Sequence, residues 1–127
     1  MLLFRGTEWH KGLSPEEIQM VMGQWKAWFD RLMNEGIAKA GHPLEVEAKI
    51  VSGKKGRVVV ADGPFAEAKE TVGGYFFLNV ESLDAAVAIA KQCPGLQHGA
   101  VVEVRPVAAE CPLSQELAAQ ELAHAGA

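Results

Sequence analysis

The segment Ser14-Pro15-Glu16-Glu17 constrains the fold more than any other part of the chain. A serine hydroxyl can cap a helix N-terminus, proline suits the first turn, and a glutamate three residues after the serine completes a capping box. Apolar residues then recur at helical spacing: Ile18, Val21, Met22, Trp25, Trp28, Phe29, Leu32 and Met33. At ~100° per residue they fall within an arc of about 140°. Gln19, Gly23, Lys26, Asp30 and Asn34 lie opposite. Such a helix must lie on a flat apolar surface, and Gly36 suits its C-terminal end. The Trp25/Trp28 pair reads as helix packing.

The rest of the chain supplies that surface. Met1 to Arg5 reads as a short strand. Gly41-His42-Pro43 reads as loop punctuation. Val46, Ala48 and Ile50 alternate with Glu45, Glu47 and Lys49, the pattern of a half-buried strand. Gly53-Lys54-Lys55-Gly56 is a hairpin turn, and Arg57 to Ala61 returns from it. Residues 62–70 form a loop, Gly74 to Val80 a strand, and Ser82 caps a second helix that Pro94-Gly95 ends. Ala100 to Val104 is the last strand, and a short helix from Ser114 to about His124 follows. The expected order is β-α-β-β-β-α-β. This is an α+β, ferredoxin-like domain: a split β-α-β sheet with both helices on one face.

Two helices cover one face only. Tyr75-Phe76-Phe77-Leu78 is apolar at consecutive positions, so side chains on both faces avoid water. A second copy placed sheet to sheet is the simplest cover, giving a homodimer. Val101, Glu103 and Arg105 alternate with Val102 and Val104, and Arg5 adds a charge to the first strand. If these groups share the uncovered face, a partly polar cavity forms there; an Arg–Glu pair that merely satisfies the interface is the structural alternative.

Charge and cysteine content exclude several classes. The net charge is −4, of which Glu110, Glu116 and Glu121 in the tail supply −3. No basic footprint for nucleic acid is present, and Lys54, Lys55 and Arg57 read as a solvated hairpin tip. No apolar run approaches the ~20 residues of a membrane helix, and the start MLLFRGTEWH lacks signal-peptide architecture. A cytoplasmic location is the default. Cys93 and Cys111 have no CxxC spacing and read as reduced structural residues, so no metal or cofactor is expected.

One run stands out: Asp62-Gly63-Pro64-Phe65-Ala66-Glu67-Ala68-Lys69-Glu70. An aspartate at a strand end can bond backbone amides downstream, a glycine before proline is held extended, and Phe65 can plug into the core. With Gly73-Gly74, Cys93-Pro94, His98-Gly99 and Val102-Glu103-Val104-Arg105-Pro106, this run resembles the DGPF branch of the YCII-related family. The likeness spans 1–107, leaving 108–127 as an acidic tail. It implies a dimeric α+β barrel of ferredoxin-like subunits. Some family members look related to muconolactone-isomerase-type enzymes, and DGPF members are often encoded beside extracytoplasmic-function sigma factors. A His–Asp acid–base pair proposed for the shorter branch has no counterpart in the first helix, which contains no histidine between Ser14 and Glu35.

Candidate site residues follow, each beside its structural alternative. Asp62 is a general base or a turn residue. His98, in the loop before the last strand, is an acid–base partner or a solvent-facing histidine. Arg5 and Arg105 could grip a carboxylate or phosphate. His10 could line a cavity mouth, and Tyr75 could add a hydroxyl or simply fill the core. His42 and His124 are assigned no role. No phosphate-binding glycine loop and no nucleophilic triad is readable. The favoured function is a small-molecule-binding or regulatory homodimer with a polar cavity near the DGPF loop. The alternative is a small enzyme doing acid–base isomerisation or elimination on a small carboxylate through Asp62 and His98. A purely structural dimer is the third reading.

Overall fold

The capping box forms. In the computed structural model, which describes residues 1–6, 8–63 and 71–125, the Glu17 amide donates to the Ser14 hydroxyl at 3.2 Å and the Ser14 amide donates to the Glu17 carboxylate at 3.2 Å. The Ser14 amide first, and the Ser14 hydroxyl after it, hold the Glu17 carboxyl below its ordinary range. Helix α1 runs Pro15–Asn34 and ends at Gly36, whose φ of +74° is the left-handed conformation a helix terminus requires.

The remaining elements are β1 (Leu2–Arg5), β2 (Ala38–Pro43), β3 (Ala48–Lys54), β4 (Arg57–Gly63), β5 (Val72–Leu78), α2 (Leu83–Ala90), a 3-10 helix (Pro94–His98), β6 (Val101–Val104) and α3 (Pro112–Ala125). The main sheet has the antiparallel order β2-β5-β1-β6. Each helical connection skips one strand: β5 lies between β1 and β2, and β1 lies between β5 and β6. This is the split β-α-β arrangement.

Two expectations are corrected. Gly41-His42-Pro43 belongs to a strand, not a loop. The hairpin β3–β4, expected in the main sheet, forms a sheet of its own. Strand β2 takes the place in the main sheet because β5 needs a partner for its second backbone edge. Pro43 is tolerated at the end of β2, which is an edge strand.

The core lies between the sheet and the two helices. Leu2, Phe4, Phe76 and Leu78 face Trp28 and Leu32 of α1 and Ala86 and Ala90 of α2. Both helices therefore share one face, as expected. Phe4 meets Trp25, Trp28 and Phe76 edge to face at centroid separations of 5.0, 6.1 and 4.7 Å. A clamp closes the helix layer: the Trp28 indole N–H donates to Gln92 Oε1 at 3.0 Å, and Arg31 donates to the same oxygen at 2.7 Å. Cys93 is buried beside it, and burial pushes its thiol up against weaker opposing hydrogen bonds from the Gly95 and Leu96 backbone.

The opposite face of the sheet carries Leu3, Tyr75 and Phe77, all half-buried. The β3–β4 hairpin turns through Lys55 and Gly56, both at positive φ (54° and 82°) as a two-residue type I′ turn demands. Its valines are open on both faces: Val51, Val58, Val59 and Val60 are 57–72% exposed. Helix α3 buries none of its residues.

Candidate functional site

The apolar arc of α1 is wider than the sheet can use. Val21, Trp28 and Leu32 are buried, the last two against it. Trp25, Phe29 and Met22 lie on the flank of the arc, and they wall a cavity of about 520 Å³ at the C-terminal end of β1. Phe4 and Phe76 form its back, and Trp9, from the loop after β1, closes one side. The Trp9 and Trp25 rings stack at 6.0 Å with 26° between planes. Such a volume with aromatic walls is typical of small-molecule sites.

The floor is bare backbone. Gly6, Gly41, Gly73 and Gly74 all line the cavity. Gly73 is skipped where Phe4 pairs with Gly74 and Arg5 with Val72, a β-bulge that bends the strand beside the cavity. Gly41 is required: a Cβ there would stand 2.7 Å from a Phe29 ring carbon and 2.8 Å from Phe76. With a Cβ there, Phe29 could not lie over the sheet.

Arg5, Lys26 and His42 are the ionisable residues of the described lining, but the register turns the Arg5 and His42 side chains to the opposite face of the sheet, beside Glu103 and Tyr75. Arg5 Nε lies 3.4 Å from Glu103 Oε1, and Lys26 Nζ lies 2.7 Å from Asp30 Oδ2 one helical turn away. His42 Nδ1 is hydrogen-bonded to the Tyr75 hydroxyl at 2.8 Å.

The candidate residues fall in several places. Glu103 joins Arg5 and Arg105, the latter at 3.9 Å, so the expected Arg–Glu contact exists. Arg105 lines a second hollow of about 400 Å³ that also involves Met1 and Phe77, at the other end of β1. His98 stacks on Trp9 at 6.3 Å, and His10 meets Trp9 edge to face at 5.8 Å, so both histidines border the indole that closes the main cavity. Asp62 is on the hairpin arm, exposed and ion-paired with Lys49. It is not part of the main cavity's described lining. The segment 64–70, with Phe65 of the DGPF run, lies outside the described residues. The larger of the two hollows is mainly aromatic and lies on the helix face; the DGPF loop, beside which a polar cavity is expected, lies largely outside the described residues.

Sequence reasoning missed Trp9 and the glycine floor. The available signals were the surplus width of the α1 apolar arc and the recurrence of Gly41 and Gly73-Gly74 beside aromatic residues. Among the described residues no helix is long and apolar enough to cross a membrane.

The YCII-related domain model matches residues 3–110, most of the chain. No curated protein matches the chain.

Proposed function

We propose that this chain, which belongs to the YCII-related family, is a small-molecule-binding homodimer whose ligand occupies the aromatic cavity at the end of β1. The observation that carries the reading is the cavity itself: about 520 Å³, floored by glycine backbone and walled by Trp9, Trp25, Phe29 and Phe76. Aromatic walls left to water keep apolar surface exposed that a ligand seated there would bury.

The homodimer is supported by surfaces one copy leaves uncovered. Among the described residues, no helix of the core cluster lies on the half-buried Leu3, Tyr75 and Phe77 face. A two-stranded hairpin is marginal alone in water, and β3–β4 exposes valines on both faces. Sheet-to-sheet pairing of two ferredoxin-like subunits into an α+β barrel covers the first surface and offers the second a neighbour. Light scattering at micromolar concentration tests this: twice the chain mass of 13.6 kDa is expected, and a monomer contradicts it.

In this reading the DGPF branch resemblance places 1–107 as the binding domain and 108–127 as an acidic tail. The setting is a cytoplasmic regulatory one, functionally linked to an extracytoplasmic-function sigma factor. Binding is favoured over acid–base catalysis because Asp62 is engaged by Lys49 on the arm whereas His98 packs on Trp9. Turnover of a small carboxylate that disappears in both Asp62→Ala and His98→Ala would reverse that preference.

A further inference from the structure

We infer that the aromatic cavity takes a flat, uncharged molecule of two or three aromatic rings. The inference rests on the binding role proposed above and adds the class of ligand.

Shape comes from the helix face of the sheet. The register sets Gly41 opposite Phe76 and Gly74 opposite Phe4, so bare backbone and aromatic rings adjoin across β2, β5 and β1. A planar body can lie directly on glycine backbone, where any side chain would lift it away. Trp25 and Phe29 of α1 wall the space above, and Trp9 stacks beside Trp25. Stacking, edge contacts and burial of a ring are the interactions such a surface offers. The volume of about 520 Å³ suits a two- or three-ring molecule and not a nucleotide with its phosphates extended.

The absence of charge follows from where the ionisable groups point. Arg5 and His42 contribute backbone to the lining, while their side chains meet Glu103 and Tyr75 on the other face of the sheet. The Lys26 side chain is 78% exposed and holds Asp30 at 2.7 Å. The side chains left to the cavity are aromatic rings, Met22 and Pro43. Among the described lining residues none carries a carboxylate, hydroxyl or amide side chain. An ion entering this space gives up hydration that no side chain there replaces. An uncharged ring carries no such cost and gains by burying its own apolar surface. Attraction of a cation to the ring faces is small at an open site, and it would act beside the like charge of Lys26.

The test is a competition on the full chain. N-phenyl-1-naphthylamine, whose emission rises in apolar surroundings, reports occupancy and is expected to bind saturably. The competitors are 2-acetylnaphthalene, 2-naphthoate and (2-naphthyl)trimethylammonium. The first two share one ring system and differ by a methyl group against a charged oxygen. The ketone is expected to displace the reporter at a concentration about ten-fold lower, or less, than either ion requires. Trp9→Ala removes a wall that a loop supplies and should weaken the reporter about five-fold or more, and Trp9→Phe should recover most of that loss. Helical circular dichroism checks that both variants are folded. Displacement by either ion at a concentration comparable to the ketone's, or below it, overturns the uncharged-ligand inference and leaves the binding role standing. No saturable binding of the reporter, or binding indifferent to Trp9→Ala, overturns the binding role at this cavity as well.

Discussion

His42 and Tyr75 meet across the β2–β5 pairing, with the imidazole Nδ1 2.8 Å from the phenol oxygen. The bond ties an edge strand made mostly of small residues to the central sheet, on the face turned away from the helices. Tyr75→Phe removes only the hydroxyl. The bond is exposed, so about 0.5–1 kcal/mol of stability should be lost in urea unfolding. Binding of N-phenyl-1-naphthylamine in the aromatic cavity, on the other face of the sheet, should be unchanged. Weakened binding would mean that Tyr75 shapes the cavity walls through the sheet.

Gln92 joins two helices through one oxygen, which accepts from Trp28 and from Arg31. Gln92→Met keeps the length of the side chain and removes the acceptor. The partly buried Trp28 N–H then lacks its partner, which should cost about 1–2 kcal/mol. Chemical denaturation checks the magnitude. A variant as stable as wild type would show that the indole finds water instead.

Gly41 has no room for a side chain. Gly41→Ala should cost about 1–3 kcal/mol through overpacking against Phe29 and Phe76. The ring able to yield is Phe29, half-buried beside the cavity, so probe binding should weaken together with stability. Loss of stability with intact binding would show that the strain is absorbed elsewhere in the sheet.

The capping box is pH-dependent in a defined direction. The folded-state pKa of Glu17 is depressed, so its contribution is present above the carboxylate's unfolded pKa and is lost as pH falls through the lower folded value. Thermal melts of wild type and Glu17→Gln should differ at neutral pH and converge on acidification. A difference that persists at low pH would mean the glutamate acts through packing and not through its charge.

Much of the fold was legible because its signals are local. The α1 capping box, the Lys55-Gly56 turn and the Ser82 cap are each written within four residues. Strand β2 was not legible, because Ala38, Lys39, Ala40 and Gly41 show no large apolar alternation. Its existence is decided by the open backbone edge of β5, which is distant in sequence. The partition of the sheets failed for the same reason: the alternation over residues 46–61 identified a hairpin but could not say which sheet it joined. Candidate site residues were found where charge stood on a strand, as with Arg5, Glu103 and Arg105. The cavity escaped because β1, α1, β2 and β5 each contribute only part of its wall. An aromatic wall residue looks in sequence like any core residue.

The most direct test of the central claim is a two-dimensional amide NMR titration of the full chain with N-phenyl-1-naphthylamine. Glycine amides and indole N–H groups resonate apart from the rest. Binding in the cavity should shift Gly41, Gly73, Gly74 and the indoles of Trp9 and Trp25, and leave the hairpin arm 48–63 in place. Shifts confined to the exposed valines of that arm, or no saturable shift of the glycine floor, would contradict the account.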